Sequence, residues 1–363
     1  MKVVFILGSS VNPNSLKRVD EFYEQGYDIA VYGFSRDLAV VNHPIHSEVT
    51  IVGVFTNSTP YKQRIKTLYC GIKKVLVSHK NEDCLYYLVG MDMAILFRLQ
   101  SKRPYIYEEP DLVHTNIKNG LARYIMELID KRNIKHSVLS VFRSEGFLRY
   151  HYPKNIPDNV YVIPNRLSPK IAECRLIDKK PIDFCHLKIG YVGFIRYKSI
   201  FNFAQVFCSR FPQHEFHFWG TFTNEKGEEQ FALLKAISNC FFHGSFKSPY
   251  DLPDIYSQID MVLSTYDVSS INVRYAEPNK IYEAIYFETP IIVSSNTFLA
   301  EKVSKLDIGF DLNAMEESDI ISFVNRLDSS GYNRIKECLK GIDKKSVINN
   351  NEKFFDRIRT VLK

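Results

Sequence analysis

The most constraining feature of this 363-residue sequence is a repeated alternation of short apolar runs with segments of helical periodicity. The alternation begins with KVVFILG, continues through the amphipathic SLKRVDEFYEQG, and goes on to YDIAVYGF, VTIVGVF, CLYYLV and PYIYEE. Apolar runs of this length are typical of buried strands, and helices between them cover both faces of a parallel sheet. The first half of the chain is therefore predicted to be an α/β domain.

The same alternation starts again after the proline-rich stretch VYVIPNRLSPKIAECRLIDKKPIDFCH, which is typical of a linker. The second series is LKIGYVGF, SIFNFAQVFCSRF, HEFHFWG, GEEQFALLKAIS, CFFHGS, SPYDLPDIYSQI, DMVLSTY and TPIIVSS. We predict an α/β protein with two Rossmann-like domains, 1–165 and 186–350, facing across a cleft, and a helix at 351–363 packing back toward the first domain. Ligands of open α/β folds bind at the carboxyl ends of the strands, which makes the cleft the expected site.

Composition excludes several classes of protein. Apolar residues make up 45% and charged residues 24% of the chain, as in ordinary globular proteins, and no apolar run approaches the roughly 18 residues of a membrane span. The seven cysteines are scattered and never spaced as Cys-x-x-Cys, which favours a reducing cytoplasm and argues against a zinc or disulfide framework. We therefore expect a cytoplasmic protein.

The segment 61–80, YKQRIKTLYCGIKKVLVSHK, carries six Lys or Arg residues, no acid, and apolar residues at helical spacing. A basic amphipathic helix of this kind can lie on anionic lipid at the inner face of the cell membrane. The alternative is a solvated helix whose apolar side packs on its own sheet. A net charge of +6 is too small for the strongly basic domain of a nucleic-acid binder, so no nucleic acid is expected.

The stretch YAEPNKIYEAIYFETPIIVSS combines a buried apolar stripe with charges at its start. Pro278 suits a first helical turn, and the free N–H groups of such a turn, with Asn279 and Lys280 beside them, suit a diphosphate. Glu283 follows about one turn later, where a carboxylate can accept hydrogen bonds from a ribose diol. The alternative is a capped helix with surface charges.

A second group of residues follows the strand in IGYVGFIRYKS, which ends at Gly193. Arg196 and Lys198 come next, in the first loop of the second domain. Parallel strands bring this loop to the same edge of the sheet as the Pro278 helix, so both cations can converge on one diphosphate. Tyr266 and Arg274, in the post-strand segment STYDVSSINVRY, either line the same donor pocket or belong to a polar loop.

The segments GYVGFIRYKS, HFWG, FFHG, DLPDIYSQIDMVLSTYD and EPNKIYEAIYFETPIIVS, in that order, resemble the donor domain of GT-B glycosyltransferases of the family 4 kind, the group 1 transferases. The first half is similar through NSLKRVDEFYEQGYDIAVYGFSRD and YIYEEPDL. The resemblance implies that Arg196 and Lys198 neutralise a nucleoside diphosphate and that Glu283 holds the ribose. It places Asp111 where relatives have a polar group reaching the sugar.

The chain departs from the family pattern at two places. Many members have two glutamates separated by seven residues, but here Tyr275 lies eight positions before Glu283 and Glu277 lies six before it. Pro110 also stands where relatives often have a histidine. The resemblance implies a retaining reaction in which Asp111 orients the sugar, whereas an inverting reaction needs a general base. The candidate bases are Asp111, Glu109 and Glu108.

The expected function is transfer of a sugar from a nucleoside diphosphate to a saccharide, plausibly lipid-linked, in bacterial surface polysaccharide synthesis such as capsule or lipopolysaccharide. No cofactor and no metal are expected, since no Asp-x-Asp pair follows a strand. Glu109 and His114 are the candidate acceptor-side residues, and a surface position is the alternative for His114. The rival functions are a nucleotide-sugar 2-epimerase of the same architecture, a noncatalytic scaffold of a glycan-assembly complex, and a nicotinamide dehydrogenase. LGSSVNPNS has one glycine where a dinucleotide fingerprint needs three, which disfavours the dehydrogenase.

Overall fold

A computed structural model describes residues 2–36, 48–56, 58–179, 181–222, 232 and 234–361. The chain forms two compact units, Met1–Ile163 with Glu352–Lys363, and Pro164–Asn351. Each unit contains one parallel sheet, as the alternating sequence pattern predicts.

The first unit is built on seven parallel strands in the order β3-β2-β1-β4-β5-β6-β7. They are β1 Lys2–Leu7, β2 Asp28–Arg36, β3 Val49–Phe55, β4 Cys84–Val89, β5 Tyr105–Glu109, β6 Leu139–Phe142 and β7 Val160–Val162. The helices of this unit are Pro13–Glu24, Tyr61–Ser78, Met91–Arg98, Gly120–His136, Glu145–His151 and Glu352–Val361, with a 3-10 turn at Val113–Asn116.

The first helix shows how local sequence fixes these elements. The Asn12 side chain accepts hydrogen bonds from the backbone N–H groups of Asn14 and Ser15, at 3.0 and 3.1 Å, which caps the helix. Gly26 then ends this segment with φ +78°, a left-handed conformation that favours glycine. The last helix, Glu352–Val361, buries Phe354, Phe355 and Ile358 in the core of this unit, where Phe355 packs against Phe22.

The basic helix Tyr61–Ser78 buries its apolar residues Leu68, Ile72 and Val75. Gly71 lies so close to the Phe34 ring that an added Cβ would be 2.5 Å from it, so the helix rests tightly on the sheet. The apolar side of this helix therefore packs on its own sheet, which is the arrangement given above as the alternative to lipid binding. The lysines of the helix stay on the surface, namely Lys62, Lys66, Lys73 and Lys74.

The second unit is built on six parallel strands in the order β10-β9-β8-β11-β12-β13. They are β8 Lys188–Val192, β9 Glu215–Trp219, β10 Cys240–Phe242, β11 Met261–Ser264, β12 Ile291–Ser294 and β13 Gly309–Leu312. The helices are Lys198–Arg210, Leu252–Ser257, Ile271–Tyr275, Lys280–Tyr286, Phe298–Leu306, Glu317–Arg326 and Ser329–Gly341, with 3-10 turns at Pro169–Glu173 and Lys344–Val347.

The linker expectation is contradicted by the structure, and one helix prediction is not tested by it. The proline-rich stretch predicted as a linker contributes β7 to the first sheet and the turn Pro169–Glu173 to the second unit, where Ile171 is fully buried. The helix predicted in GEEQFALLKAIS lies largely outside the described residues. Among the residues that are described, no helix combines the length and the apolar character needed to cross a membrane.

Candidate functional site

The second sheet has its switch point between β8 and β11, which are neighbours although β9 and β10 come between them in the chain. Connections leave β8 and β11 toward opposite sides of the sheet, and this leaves a crevice at the carboxyl ends of the two strands. The loop Gly193–Tyr197 follows β8, and Thr265, Tyr266 and Asp267 follow β11. Of the predicted donor residues, Gly193, Arg196 and Tyr266 therefore lie at the edge of the sheet where open α/β folds bind ligands.

Two glycines allow the loops after β8 and β9 to approach each other closely. Gly193 has φ +132° and Gly220 has φ +143°, both in a region that side chains rarely adopt. A Cβ on Gly220 would lie 1.8 Å from the Gly193 carbonyl oxygen, so only glycine fits there. A Cβ on Gly193 would lie 3.0 Å from Nζ of Lys280, which shows that the loop and this lysine are in contact.

Lys280 is a buried cation with 5% of its surface exposed. Its Nζ lies 4.5 Å from the centre of the Tyr191 ring and 6.0 Å from the centre of the Tyr266 ring. Burial alone would lower the pKa of Lys280, but the two phenol groups and the Glu283 carboxylate outweigh it and raise that pKa above its ordinary value. The ammonium is therefore held in its charged form.

Arg196 is exposed in the loop after β8, whereas Lys198, predicted in the same loop, is exposed at the first residue of the helix Lys198–Arg210. Arg196 donates from Nη2 to the Tyr197 hydroxyl at 2.9 Å, and its guanidinium carbon lies 4.9 Å from the centre of that ring. The Tyr197 ring packs edge-on against Tyr266, with centroids 4.9 Å apart. Because Tyr266 also faces Lys280, a continuous series of ring contacts joins the surface arginine to the buried lysine.

Asp267, which follows β11, binds the start of the helix Lys198–Arg210. Its carboxylate accepts hydrogen bonds from the backbone N–H groups of Lys198 at 3.3 Å and Ser199 at 3.0 Å, in the first turn of the helix Lys198–Arg210. An acid at a helix start satisfies otherwise unpaired N–H groups and complements the helix dipole. The positive charge of the site therefore comes from side chains more than from this helix end.

Glu283 lies in the helix Lys280–Tyr286 and is 4% exposed. Its Oε2 accepts a hydrogen bond from the Tyr256 hydroxyl at 2.6 Å, and its Oε1 accepts one from Nδ2 of Asn279 at 2.8 Å. Burial raises the pKa of Glu283, while Lys280 and the Tyr256 hydroxyl act in the opposite direction. Both oxygens keep further lone pairs, so the carboxylate can still accept a hydrogen bond from a ligand hydroxyl.

The start of this helix differs from the prediction. The helix begins at Lys280, with Asn279 at the N-cap, so Pro278 precedes it and does not occupy the first turn. Seven residues make only two turns, and the contribution of the helix end is correspondingly small. Arg274 is exposed on the short helix Ile271–Tyr275, and no hydrogen bond or ion pair between it and Lys280 or Glu283 is found in the described parts of the chain.

Glu277 is a buried acid near this site. From the sequence, only its unusual spacing from Glu283 was apparent. It is 3% exposed, accepts a hydrogen bond from the Tyr282 hydroxyl, and pairs with Nζ of Lys302 at 2.5 Å. This pairing explains how a carboxylate is tolerated inside the unit. A lysine 25 positions away carried no sequence signal that could have identified the pair.

The first unit contains a buried ionic group at the carboxyl end of β5. Glu108 is fully buried, pairs with Arg143, accepts a hydrogen bond from the Tyr87 hydroxyl, and lies 3.2 Å from Nε of Arg18. Burial alone would raise the pKa of Glu108, but Arg143 and Arg18 outweigh it and lower that pKa. Glu108 is therefore a structural anion with no exposed surface, which does not suit the predicted general base.

A second buried cluster contains the two predicted acceptor-side residues. Glu109 and His114 are each 1% exposed, and they lie with Asp130 and His151, which are 0% and 3% exposed. His151 Nε2 is 3.0 Å from Glu109 Oε2, and the Asp130 charge adds to burial in raising the pKa of Glu109. His114 was predicted to lie on the surface or against an acceptor, but it is buried. Asp111, two residues beyond β5, is exposed.

Comparison with known proteins shows the fold. No family model matches the chain, and no curated protein sequence matches it. Among solved structures, sucrose-phosphate synthase from Thermosynechococcus elongatus superimposes with a TM-score of 0.71 at 14% identity, covering 100% of this chain and 99% of that one. Anabaena HepE in complex with UDP and glucose gives 0.67 at 14% identity, covering 98% and 99% of the two chains.

WaaG, a glycosyltransferase involved in lipopolysaccharide biosynthesis, gives a TM-score of 0.62 at 14% identity over 99% of this chain and 98% of its own. The chain therefore has the fold of GT-B glycosyltransferases, with two parallel sheets in two Rossmann-like units. At this level of identity the comparison establishes the architecture, and the residues of the site carry the functional argument.

Proposed function

We propose that the protein is a glycosyltransferase that moves a sugar from a nucleoside diphosphate to a saccharide acceptor. The observation that carries this proposal is the buried cation Lys280 at the β8–β11 switch point, joined through Tyr266 and Tyr197 to Arg196 and placed three residues from the buried acid Glu283. Cations beside an accepting carboxylate match the two ends of a nucleoside diphosphate, which offers phosphate oxygens and ribose hydroxyls.

The same cations fit the chemistry of transfer. Breaking the bond between a sugar and a diphosphate places developing negative charge on the departing phosphate oxygen. Lys280 is already desolvated and charged, so it stabilises this oxygen without the cost of reorganising water. Arg196 and Lys198 are proposed to hold the outer phosphate oxygens, with Arg196 as a bidentate donor.

We further propose that the reaction retains the anomeric configuration and that the departing diphosphate is neutralised by these side chains, without a metal at that step. Asp111 remains the predicted polar group for the sugar or, in an inverting reaction, the general base. Its exposure distinguishes it from Glu108 and Glu109, whose carboxylates are buried. Equal rates of transfer with and without added Mg²⁺ or Mn²⁺, together with the configuration of the product, test both points.

The structural neighbours support the donor class and the process. HepE structures contain UDP or UDP-glucose, and WaaG acts in lipopolysaccharide biosynthesis. We accordingly propose a nucleotide-sugar donor, and a saccharide or lipid-linked saccharide of a bacterial surface polysaccharide as the acceptor, at the cytoplasmic face of the membrane.

The experiment that tests the donor site is a thermal-shift screen across UDP-, GDP-, ADP- and CMP-linked sugars, because a ligand of the native state raises its melting temperature. Lys280→Met and Arg196→Ala should weaken binding of the selected donor about 10- to 100-fold, as expected for lost charged hydrogen bonds. Arg210→Ala is the matched control, since Arg210 is an exposed arginine of the same unit that pairs with Glu317. No stabilisation by any nucleotide sugar, or equal losses in Arg196→Ala and Arg210→Ala, would contradict the proposal.

The two rival functions give different outcomes in the same assays. A 2-epimerase converts the nucleotide sugar when no acceptor is present, whereas a transferase leaves the sugar unchanged apart from slow hydrolysis. A scaffold supports glycan production in cells even when Lys280→Met and Glu283→Gln are combined, whereas the double variant of a transferase does not.

We also propose that the first unit contacts anionic lipid. The helix Gly120–His136 exposes four apolar residues at helical spacing, namely Leu121 at 70%, Tyr124 at 58%, Ile125 at 47% and Leu128 at 47%. The same face continues into the exposed cations Arg132 and Lys135, and the lysines of Tyr61–Ser78 lie in the same unit. An apolar stripe beside basic side chains matches the interface of an anionic bilayer.

Co-sedimentation with vesicles tests this contact. Binding should require anionic phospholipid, fall with added salt, and decrease in Leu121→Ser combined with Ile125→Ser. Leu176→Ser is the control, because Leu176 is an exposed leucine of the second unit at 45%. Equal sedimentation of both variants, or equal binding to zwitterionic vesicles, would argue against a lipid-binding surface here.

A further inference from the structure

The buried cluster beside β5 has a composition that ordinary packing does not explain. Glu109, His114, Asp130 and His151 bring two carboxylates and two imidazoles together with at most 3% exposure. The neighbouring Glu108 has two arginine partners, but neither Glu109 nor Asp130 forms an ion pair with a lysine or arginine in the part of the chain that the structure describes. A carboxylate that ionises inside a protein needs a positive partner, and the described lysines and arginines supply none to Glu109 or Asp130.

Several polar atoms of this cluster are buried without a hydrogen-bond partner, Nδ1 of His151 among them. Both ring nitrogens of His114 are buried without a hydrogen-bond partner, and so is Oδ2 of Asp130. The other oxygen of this carboxylate, Oδ1, accepts a hydrogen bond from the Tyr107 hydroxyl at 2.7 Å. One Asp130 oxygen is thus fixed from outside, and the second is directed toward His114, 3.4 Å from its Nδ1, and toward His151.

The distances in the cluster are close to those of a metal site. One ligand atom each from Glu109, His114 and Asp130 lie within 4.8 Å of one another. His151 Nε2 lies 3.0 Å from Glu109 Oε2 and 3.9 Å from Asp130 Oδ2. Four nitrogen and oxygen ligands around Zn²⁺ at about 2.1 Å are separated from one another by about 3.4 Å, so binding would draw these side chains closer together.

We propose that Glu109, His114, Asp130 and His151 bind a structural divalent transition-metal ion of the Zn²⁺ type inside the first unit. Two imidazoles and two carboxylates form an N₂O₂ set suited to Zn²⁺, and two carboxylates cancel the charge of the ion. The Tyr107 hydroxyl orients one ligand from the outer shell, as is common around metal ions.

Such an ion would have a structural role. Four protein ligands leave no open position for a substrate, which distinguishes this site from the phosphate chemistry proposed for the second unit. The ligands come from the end of β5, the turn Val113–Asn116, the helix Gly120–His136 and the helix Glu145–His151. The ion would connect these four elements next to Asp111.

Metal content and metal binding of the full-length protein test the proposal. After treatment with a chelator, the protein should take up one Zn²⁺ per chain, measured by elemental analysis and by competition with a chromophoric chelator. Uptake should raise the melting temperature by roughly 5 °C or more at saturation, because binding to the native state alone stabilises it. Co²⁺ in place of Zn²⁺ should give the visible absorption of a four-coordinate ion.

The variants separate this site from another candidate group. His114→Gln and Asp130→Asn should weaken Zn²⁺ binding more than 100-fold, and Tyr107→Phe should weaken it about 10- to 100-fold as an outer-shell change. His79→Gln is the control, because His79, Glu82 and Cys84 form a second group with metal-ligand spacing in the same unit. Circular dichroism of the metal-free variants establishes that they fold.

Two results would overturn the proposal. One is a chelator-treated wild-type protein that takes up less than about a tenth of an equivalent of Zn²⁺ under conditions where structural sites fill. The other is wild-type affinity in folded Tyr107→Phe and Asp130→Asn, or loss of binding in His79→Gln alone. Either result would indicate that the buried side chains share protons and do not bind a metal ion.

Discussion

The substitution Gly193→Ala tests whether the loop after β8 positions the buried Lys280 of the proposed donor site. Gly193 has φ +132°, which an alanine adopts at a cost of about 1–3 kcal/mol. In a unit of the size of Pro164–Asn351, a cost near 2 kcal/mol lowers the melting temperature by about 4–8 °C.

The functional part of the effect comes from the new methyl group, which would lie 3.0 Å from Nζ of Lys280. The ammonium can yield, since it is the end of a long side chain, but it would then leave its position over the Tyr191 ring. Loss of one charged hydrogen bond to phosphate corresponds to about a 10- to 100-fold weaker affinity for UDP or for the diphosphate that the screen selects. Calorimetric titration measures this affinity.

The control for backbone strain is Gly26→Ala. Gly26 also has a positive φ, +78°, but an added Cβ there meets nothing within 4 Å, and it belongs to the first unit. This variant should lose stability and keep the affinity for the diphosphate. Wild-type affinity of Gly193→Ala for UDP, or an unchanged melting temperature, would show that Gly193 does not position Lys280.

Three further predictions concern buried polar groups. Glu108→Gln should destabilise the first unit by about 3–5 kcal/mol in urea unfolding, because Arg143 and Arg18 each lose a buried carboxylate partner, whereas the exposed Glu82→Gln should cost less than about 1 kcal/mol. Burial and a nearby lysine lower the pKa of Lys179 to about 7, so stability should rise as pH increases from about 7 to 10, and Lys179→Met should reduce that rise; parallel pH curves would contradict this. Tyr256→Phe removes a hydrogen bond that lowers the pKa of Glu283, so its donor affinity should fall more steeply on acidification than that of the wild type, as calorimetric titration over the pH range of the folded protein would show.

The sign for Lys179 follows from its protonation in the two states. The folded pKa of about 7 lies below the ordinary value of 10.5, so between these values the unfolded chain binds more protons than the folded one. Stability therefore increases with pH across this range, and the penalty is complete below pH 7. At about 1.4 kcal/mol per pKa unit, the full effect has an upper value near 5 kcal/mol.

Much of the fold could be predicted because buried parallel strands are nearly continuous apolar runs. The strands β1, β4 and β5 coincide with KVVFILG, CLYYLV and PYIYEE. The short strands β7 and β13 carry weaker signals, since three or four residues show no distinct periodicity. Helix ends were less certain still, as the start at Lys280 two residues beyond Pro278 shows.

The candidate site could be predicted only in part. The order of Gly193, Arg196 and Lys280 along strand-ending loops indicated that their loops share one sheet edge, because parallel strands end on the same side. Nothing in the sequence distinguished the buried Lys280 from the exposed Lys198, since burial depends on Tyr191 and Tyr266 in other segments. Asp130 and His151 were missed for the same reason, because their partners are distant in the chain.

The placement of the last helix has a consequence for biosynthesis. Phe354, Phe355 and Ile358 belong to the core of the unit that starts the chain, while residues 164–351 form the other unit. During translation the second unit can fold first. The apolar surface of the first unit on Phe22 and its neighbours stays uncovered until the helix Glu352–Val361 has been synthesised. A fragment ending at residue 163 would keep that surface exposed permanently and should aggregate, whereas a fragment that joins 2–163 to 352–361 through a short linker should remain monomeric.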